Sequence, residues 1–164
     1  MSEYPIATIC GSMMFMSQML MVADELTRQG NIVLMPLTRK SSGNSVAVKR
    51  QIEEFGKRCG KVFDPEGRHL NSTPITGEEL DRMHRAKIDM ADRVVFVTEF
   101  ASYMDHFPYL KKDPPHESVW TGYYFGESTR NELAYARSLD KPISFARTER
   151  RDYRDRITWL EIPS

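Results

Sequence analysis

An excess of either charge is missing from this sequence: 23 Lys and Arg stand against 23 Asp and Glu. That balance removes the electrostatic reason to expect a nucleic acid polymer or an anionic membrane as partner, and it leaves small molecules. Cysteine is scarce, with only Cys10 and Cys59, so the disulfide framework of a small secreted domain is excluded. No Cys/His group has the close spacing of a zinc site, and neither a metal nor another cofactor is expected. No run approaches the roughly 20 apolar residues that a membrane-spanning helix needs. The N-terminus lacks a basic stretch leading into a long apolar one. A single cytoplasmic domain over residues 1–164 is the expectation. Also missing are internal repeats, a Gly-Lys-Ser/Thr phosphate loop and a three-glycine dinucleotide fingerprint.

What is present alternates. The run "PIATIC", residues 5–10, reads as a buried strand stopped by Gly11-Ser12. Met16 to Gln29 follows with Met16, Met19, Leu20, Ala23 and Leu26 at helical spacing, and Gly30 marks a C-terminal stop. This methionine stripe reads as core filling, whereas Met13 and Met14 sit in the turn. "NIVLMPL", 31–37, is a second strand. Residues 38–76 read as a long excursion over one edge of the sheet, with a possible helix at 46–60. A helix from Thr76 to about Ala91 opens on a Thr76-x-x-Glu79 capping box. Strands follow at 93–99, 141–146 and 157–162, with a helix from about Thr129 to Leu139.

Continuous apolar strands alternating with helices predict an α/β fold: a parallel sheet of about five strands with helices on both faces. Such sheets bind ligands beyond the carboxyl ends of their strands. Gly11–Phe15, the chain after Glu99 and the helix start near Ser128 should therefore meet at one site. Residues 100–122 form a long loop carrying Phe100, Tyr103, Phe107, Tyr109 and Trp120. It is expected to govern substrate choice and, as an apolar patch, to favour a homo-oligomer.

Several residues have two readings. "GSMMF", residues 11–15, offers backbone N–H groups to a phosphate or sugar hydroxyl, but any parallel α/β protein needs such a turn. His84, Lys87 and Asp89 are solvated helix residues on the bland reading. On the functional one, His84 or Lys87 faces an anionic substrate. A second stripe of the same helix holds Leu80, Met83, Ala86 and Met90. Glu132 completes a capping box as N3 to Thr129, or it presents a carboxylate to substrate.

Three stretches, "GSMMF", "HRAKIDMADRVVFV" and "GESTRNELAYARSLDKPISF", span most of residues 5–145. In that order they resemble the nucleoside 2-deoxyribosyltransferase superfamily, which includes nucleotide N-glycoside hydrolases. Gly126, Ser128, Glu132, Tyr135, Ala136, Lys141 and Pro142 fall on the family's last motif. The resemblance implies a flavodoxin-like fold and cleavage or transfer at an N-glycosidic bond of a nucleoside or nucleotide, without a cofactor. It implies that Glu132 attacks the anomeric carbon and forms a glycosyl-enzyme intermediate. A carboxylate suits that role, because it both stabilises and captures an oxocarbenium-like centre. The resemblance further gives Gly11, Ser12 and Met13 to sugar or phosphate, Ser128 and Thr129 with Gly126 to a 5′ group, and Tyr123 or Tyr124 to the base. Asp89, Asp92 and Glu99 are candidates for the acid that assists the leaving base, with Asp89 taken forward and Asp92 more often structural in the family. The first loop departs from nucleotide-hydrolysing relatives in lacking their arginine, and the 100–122 loop is longer than the family's. Two other readings are a non-catalytic nucleotide or nucleotide-sugar sensor on the same fold, and an NAD-cleaving relative.

Overall fold

A computed structural model describes residues 3–36, 77–102, 119–120, 122–151 and 154–162. The excursion at 38–76, Thr76 and most of the aromatic loop lie outside the described residues. The chain divides into two compact units, Met1–Pro36 with His84–Ser164, and Leu37–Met83.

Strand β1, Ile6–Gly11, lies in the first unit, followed by a single 3-10 turn, Met13–Phe15, closed by Phe15 N–H donating to Ser12 O at 2.9 Å. Helix α1 is Met16–Arg28 and β2 is Ile32–Leu34. Helix α2 is Gly77–Met90 and β3 is Arg93–Val97. A short antiparallel pair, β4 Val119–Trp120 and β5 Tyr123–Tyr124, precedes helix α3, Glu127–Ser138. β6, Ile143–Arg151, and β7, Arg154–Leu160, complete the order.

The main sheet runs β2-β1-β3-β6-β7. β1 pairs in parallel with β2 (Ala7↔Val33) and with β3 (Ile9↔Val95, Cys10↔Phe96), and β3 pairs in parallel with β6 (Phe96↔Phe145). The all-parallel expectation fails at β7, which returns antiparallel to β6 from Arg151↔Arg154 to Phe145↔Leu160. Only residues 152 and 153 lie between the two strands, whereas a parallel return needs a crossover of about a dozen residues or more.

Strand alternation divides the core. Ala7, Ile9, Val95 and Val97 pack in one cluster with Met19, Val22 and Leu26 of α1. Cys10, Val94 and Phe96 pack in the other with Ile88 of α2 and Leu133 and Ala136 of α3. The expected methionine stripe is core filling at Met19, which is fully buried, and Met14 and Met16 pack against the same cluster. Leu20 does not belong to it and is 54% exposed. In α2 the inward stripe is His84 and Ile88, continued by Ala91 just past the helix end, while Met90 faces out.

Helix α3 corrects the second capping box. The helix starts at Glu127 with Gly126 as N-cap, so Thr129 is the buried third residue and Glu132 lies in the second turn. Phe125 and Thr129 are both buried, and the cap lies three residues before the expected hydroxyl-based one. Glu132 therefore has no capping duty. The 100–122 segment is likewise not structureless throughout: Phe100 bridges to Tyr123, and Val119–Trp120 pairs with Tyr123–Tyr124.

Candidate functional site, a thiol, an imidazole and a carboxylate beside the first strand

Because Cys10 falls on the α2/α3 face of β1, its side chain points at both helices. α2 is held against that face by Thr8, whose hydroxyl donates to Lys87 O at 2.7 Å. His84, one turn earlier, then meets the thiol: Cys10 Sγ and His84 Nε2 lie 3.3 Å apart, in a hydrogen bond whose donor depends on the imidazole tautomer. From α3, Glu132 Oε1 stands 3.7 Å from the same Nε2. The Cys10 residue is wholly buried, while the His84 and Glu132 side chains keep 8% and 17% of their exposure. Burial first, and then the Glu132 carboxylate beside it, push the Cys10 thiol well above its ordinary range. The sulfur is thus a protonated thiol near neutral pH, unsuited to act as a nucleophile.

The three segments expected to converge do so in part. Thr98 hydroxyl donates to Tyr124 O at 2.6 Å, and Tyr124 N–H donates to Glu99 O at 2.9 Å. The Tyr124 ring meets Phe15 edge-on at 6.2 Å. The chain after β3, the turn after β1 and the approach to α3 are therefore joined. Gly11 and Ser12 lie half-buried at the end of β1, and Gly126 is half-buried at the N-cap of α3. Met13 occupies the 3-10 turn. Thr129 is buried and Ser128 is exposed.

Other candidates are occupied elsewhere. Lys87 Nζ donates to Met35 O at 2.6 Å, and burial pulls its pKa down. Asp89 is exposed and accepts from the Tyr135 hydroxyl at 2.6 Å. Asp92 accepts from Ile6 N–H at 2.7 Å and so anchors the start of β1. Glu99 is buried with Arg147 Nη1 at 3.3 Å, and the guanidinium lies 4.2 Å over the Phe100 ring. Among the three acids considered for the leaving base, none stands with Glu132; His84 does.

A separate cavity of about 560 Å³ lies at the opposite, N-terminal end of the parallel strands, lined by Arg93, Phe145 and Trp159 among others. Arg93 sits 5.8 Å over the Trp159 ring there. It contains none of the residues picked out by sequence. Among the described residues no helix is long and apolar enough to cross a membrane.

Comparison with protein families, with curated proteins and with solved structures finds no match. The family resemblance thus stands on the three sequence stretches alone.

Sequence reasoning overlooked Cys10 as part of a polar cluster. Its signal was its place, one residue before the strand-ending Gly11 and on the face opposite to Ile9.

Proposed function

We propose that this protein cleaves or transfers the N-glycosidic bond of a nucleoside or nucleotide, with Glu132 as nucleophile. The observation that carries the reading is the placement of Glu132: a largely buried carboxylate with no capping role, 3.7 Å from an imidazole and close to Cys10 at the end of the first strand. The sheet order supports it as well. Leaving aside the β4–β5 pair, β2-β1-β3-β6-β7 matches the 2-1-3-4-5 order of flavodoxin-like sheets, with the last strand reversed. In that order the chain switches direction between β1 and β3, beside Cys10 and Gly11.

In the proposed reaction a Glu132 oxygen bonds to the anomeric carbon as the carbon–nitrogen bond breaks. The bonding pair leaves with the base, which takes up a proton. His84 is the proton donor within reach, in place of Asp89. Water or a second base then attacks the anomeric carbon and releases the carboxylate. In this reading Tyr124, whose ring meets Phe15 of the turn after β1, contacts the base, and Gly11, Ser12 and Gly126 contact the sugar.

The test is incubation with nucleosides, nucleoside monophosphates and NAD, with and without a second base, followed by measurement of released base. Glu132→Gln should reduce release to below about a tenth of wild type with the melting temperature little changed. Release by the variant at the wild-type rate removes Glu132 as nucleophile. Binding without release from any substrate would favour the sensor reading.

A further inference from the structure

Three donor atoms of different chemistry converge on one point beside β1. Cys10 Sγ, His84 Nε2 and a Glu132 carboxylate oxygen all lie within 4.8 Å of one another. Two of the separations are 3.3 Å, sulfur to nitrogen, and 3.7 Å, nitrogen to oxygen. In a tetrahedral zinc centre with bonds of about 2.0–2.3 Å, neighbouring ligand atoms stand about 3.3–3.6 Å apart. The cluster is close to that size before any cation draws it in.

The arrangement differs from a nucleophile–base–orienter relay. In a relay the nucleophile and the carboxylate use opposite nitrogens of the imidazole. Here thiol and carboxylate address the same nitrogen, Nε2. Convergence of all three on one point suits a cation at their centre.

We infer that Cys10, His84 and Glu132 form a three-ligand site for a thiophilic divalent cation of the zinc class, with one coordination position left open. The sulfur and imidazole select such a metal over magnesium or calcium, which prefer all-oxygen shells. The open position faces the side of Glu132, the most exposed of the three side chains. As the cation binds, the Cys10 S–H bond breaks, the sulfur pair goes to the metal and the proton passes to solvent; nothing is oxidised or reduced. Linear spacing could not disclose the site, because its ligands come from β1, α2 and α3, with Cys10 and His84 separated by 74 residues. One consequence rests on the proposed role of Glu132: a metal-held carboxylate cannot attack a sugar, so the cation blocks base release.

The experiment is titration of the chelator-treated, full-length protein with Co²⁺. A sulfur-to-cobalt charge-transfer band in the near ultraviolet, saturating at one equivalent and abolished by Zn²⁺, is expected. Cys59→Ser should keep the band and Cys10→Ser should lose it, while His84→Ala and Glu132→Gln should weaken affinity by about tenfold or more. Absence of the band in folded wild type, or its survival in Cys10→Ser, overturns the site. Since Cys10 is a core residue and its variant can fail to fold, wild-type melting with Zn²⁺ is the second measurement. A rise that Glu132→Gln lacks sustains the site, and no rise in wild type overturns it. Base release in the presence of chelator tests the nucleophile separately, so the two readings fail independently.

Discussion

At residue 11 the fold leaves no room for a side chain. A Cβ there would stand 2.8 Å from the Val97 carbonyl oxygen and 3.3 Å from Met19 Sδ. The sulfur can yield, but the carbonyl belongs to the β1–β3 ladder and cannot move without breaking it. Gly11→Ala should therefore lower stability by about 1–3 kcal/mol, read as a shift in the urea midpoint with an unchanged slope. An unshifted midpoint would mean that the strand ends separate more easily than their register suggests. Gly11 was legible as a stop, and so was Gly30, whose φ of 84° ends α1. Cys10 was not, since a thiol in an apolar strand reads like any small core residue. Glu132 was legible as important but for the wrong local reason. Gly126 and Thr129 both make acceptable N-caps, and only the burial of Phe125 and Thr129 decides between them.

Between elements, α2 and α3 are tied by polar contacts on their outer side. Tyr135 of α3 donates to Asp89 of α2, and Lys141 Nζ reaches the Asp89 and Ala91 carbonyls at 2.8 and 2.7 Å, where a cation complements the helix end. The hydrogen bond to Asp89 favours the protonated phenol and raises the Tyr135 pKa, with smaller help from desolvation and the carboxylate charge. A folded-state value above the unfolded one means that this contact's stabilisation is fully present below about pH 10 and is lost as pH rises through the raised value. A phenolate titration, wild type minus Tyr135→Phe, should show this tyrosine ionising above its ordinary range, and Asp89→Asn should bring it back. An ordinary value in the wild type would dismiss the latch. The elements themselves were largely readable: α1 and α2 fall within a residue or two of their periodic stretches. β6 and β7 were readable only in their apolar stretches, 143–146 and 157–160, because the charged run at 147–156 conceals strand as far as Arg151 and from Arg154 onward. Apolar continuity locates buried strands and misses those that run out into solvent.

At the scale of the sheet, the strands of the described residues end on two guarded edges. β2 has only three residues, and β7 presents exposed Arg154, Asp155 and Arg156 at its start. Short strands and charge discourage edge-to-edge pairing. Among the described residues side-chain surface is the better route to association, and Met90 at 56%, Phe100 at 43% and Trp159 at 42% exposure provide apolar area. We expect a homo-oligomer at tens of micromolar by sedimentation, where a strictly monomeric profile would dispose of the idea. The α/β class and most of the sheet were legible in the pattern of apolar runs. The meeting of Cys10, His84 and Glu132 was not, because it depends on which face of β1 each helix covers.

The two kinds of strand pairing also differ in how quickly a chain can find them. β6 and β7 are joined by the shortest of connections, so their hairpin closes locally. β1 and β3 meet only after a much larger loop has closed, as the separation of 86 positions between Ile6 and Asp92, just before β3, records. During refolding the surroundings of Trp159 on β7 should therefore settle before the Cys10 thiol is shielded. Stopped-flow fluorescence of a Trp120→Phe chain, set beside pulse labelling of Cys10 in a Cys59→Ser chain, can time the two events. Thiol protection arriving with or ahead of the tryptophan signal would reverse the order. If the order holds, a newly made chain passes through an interval in which its hairpin is formed and its Cys10 thiol is still open to any reagent or metal in the surrounding solution.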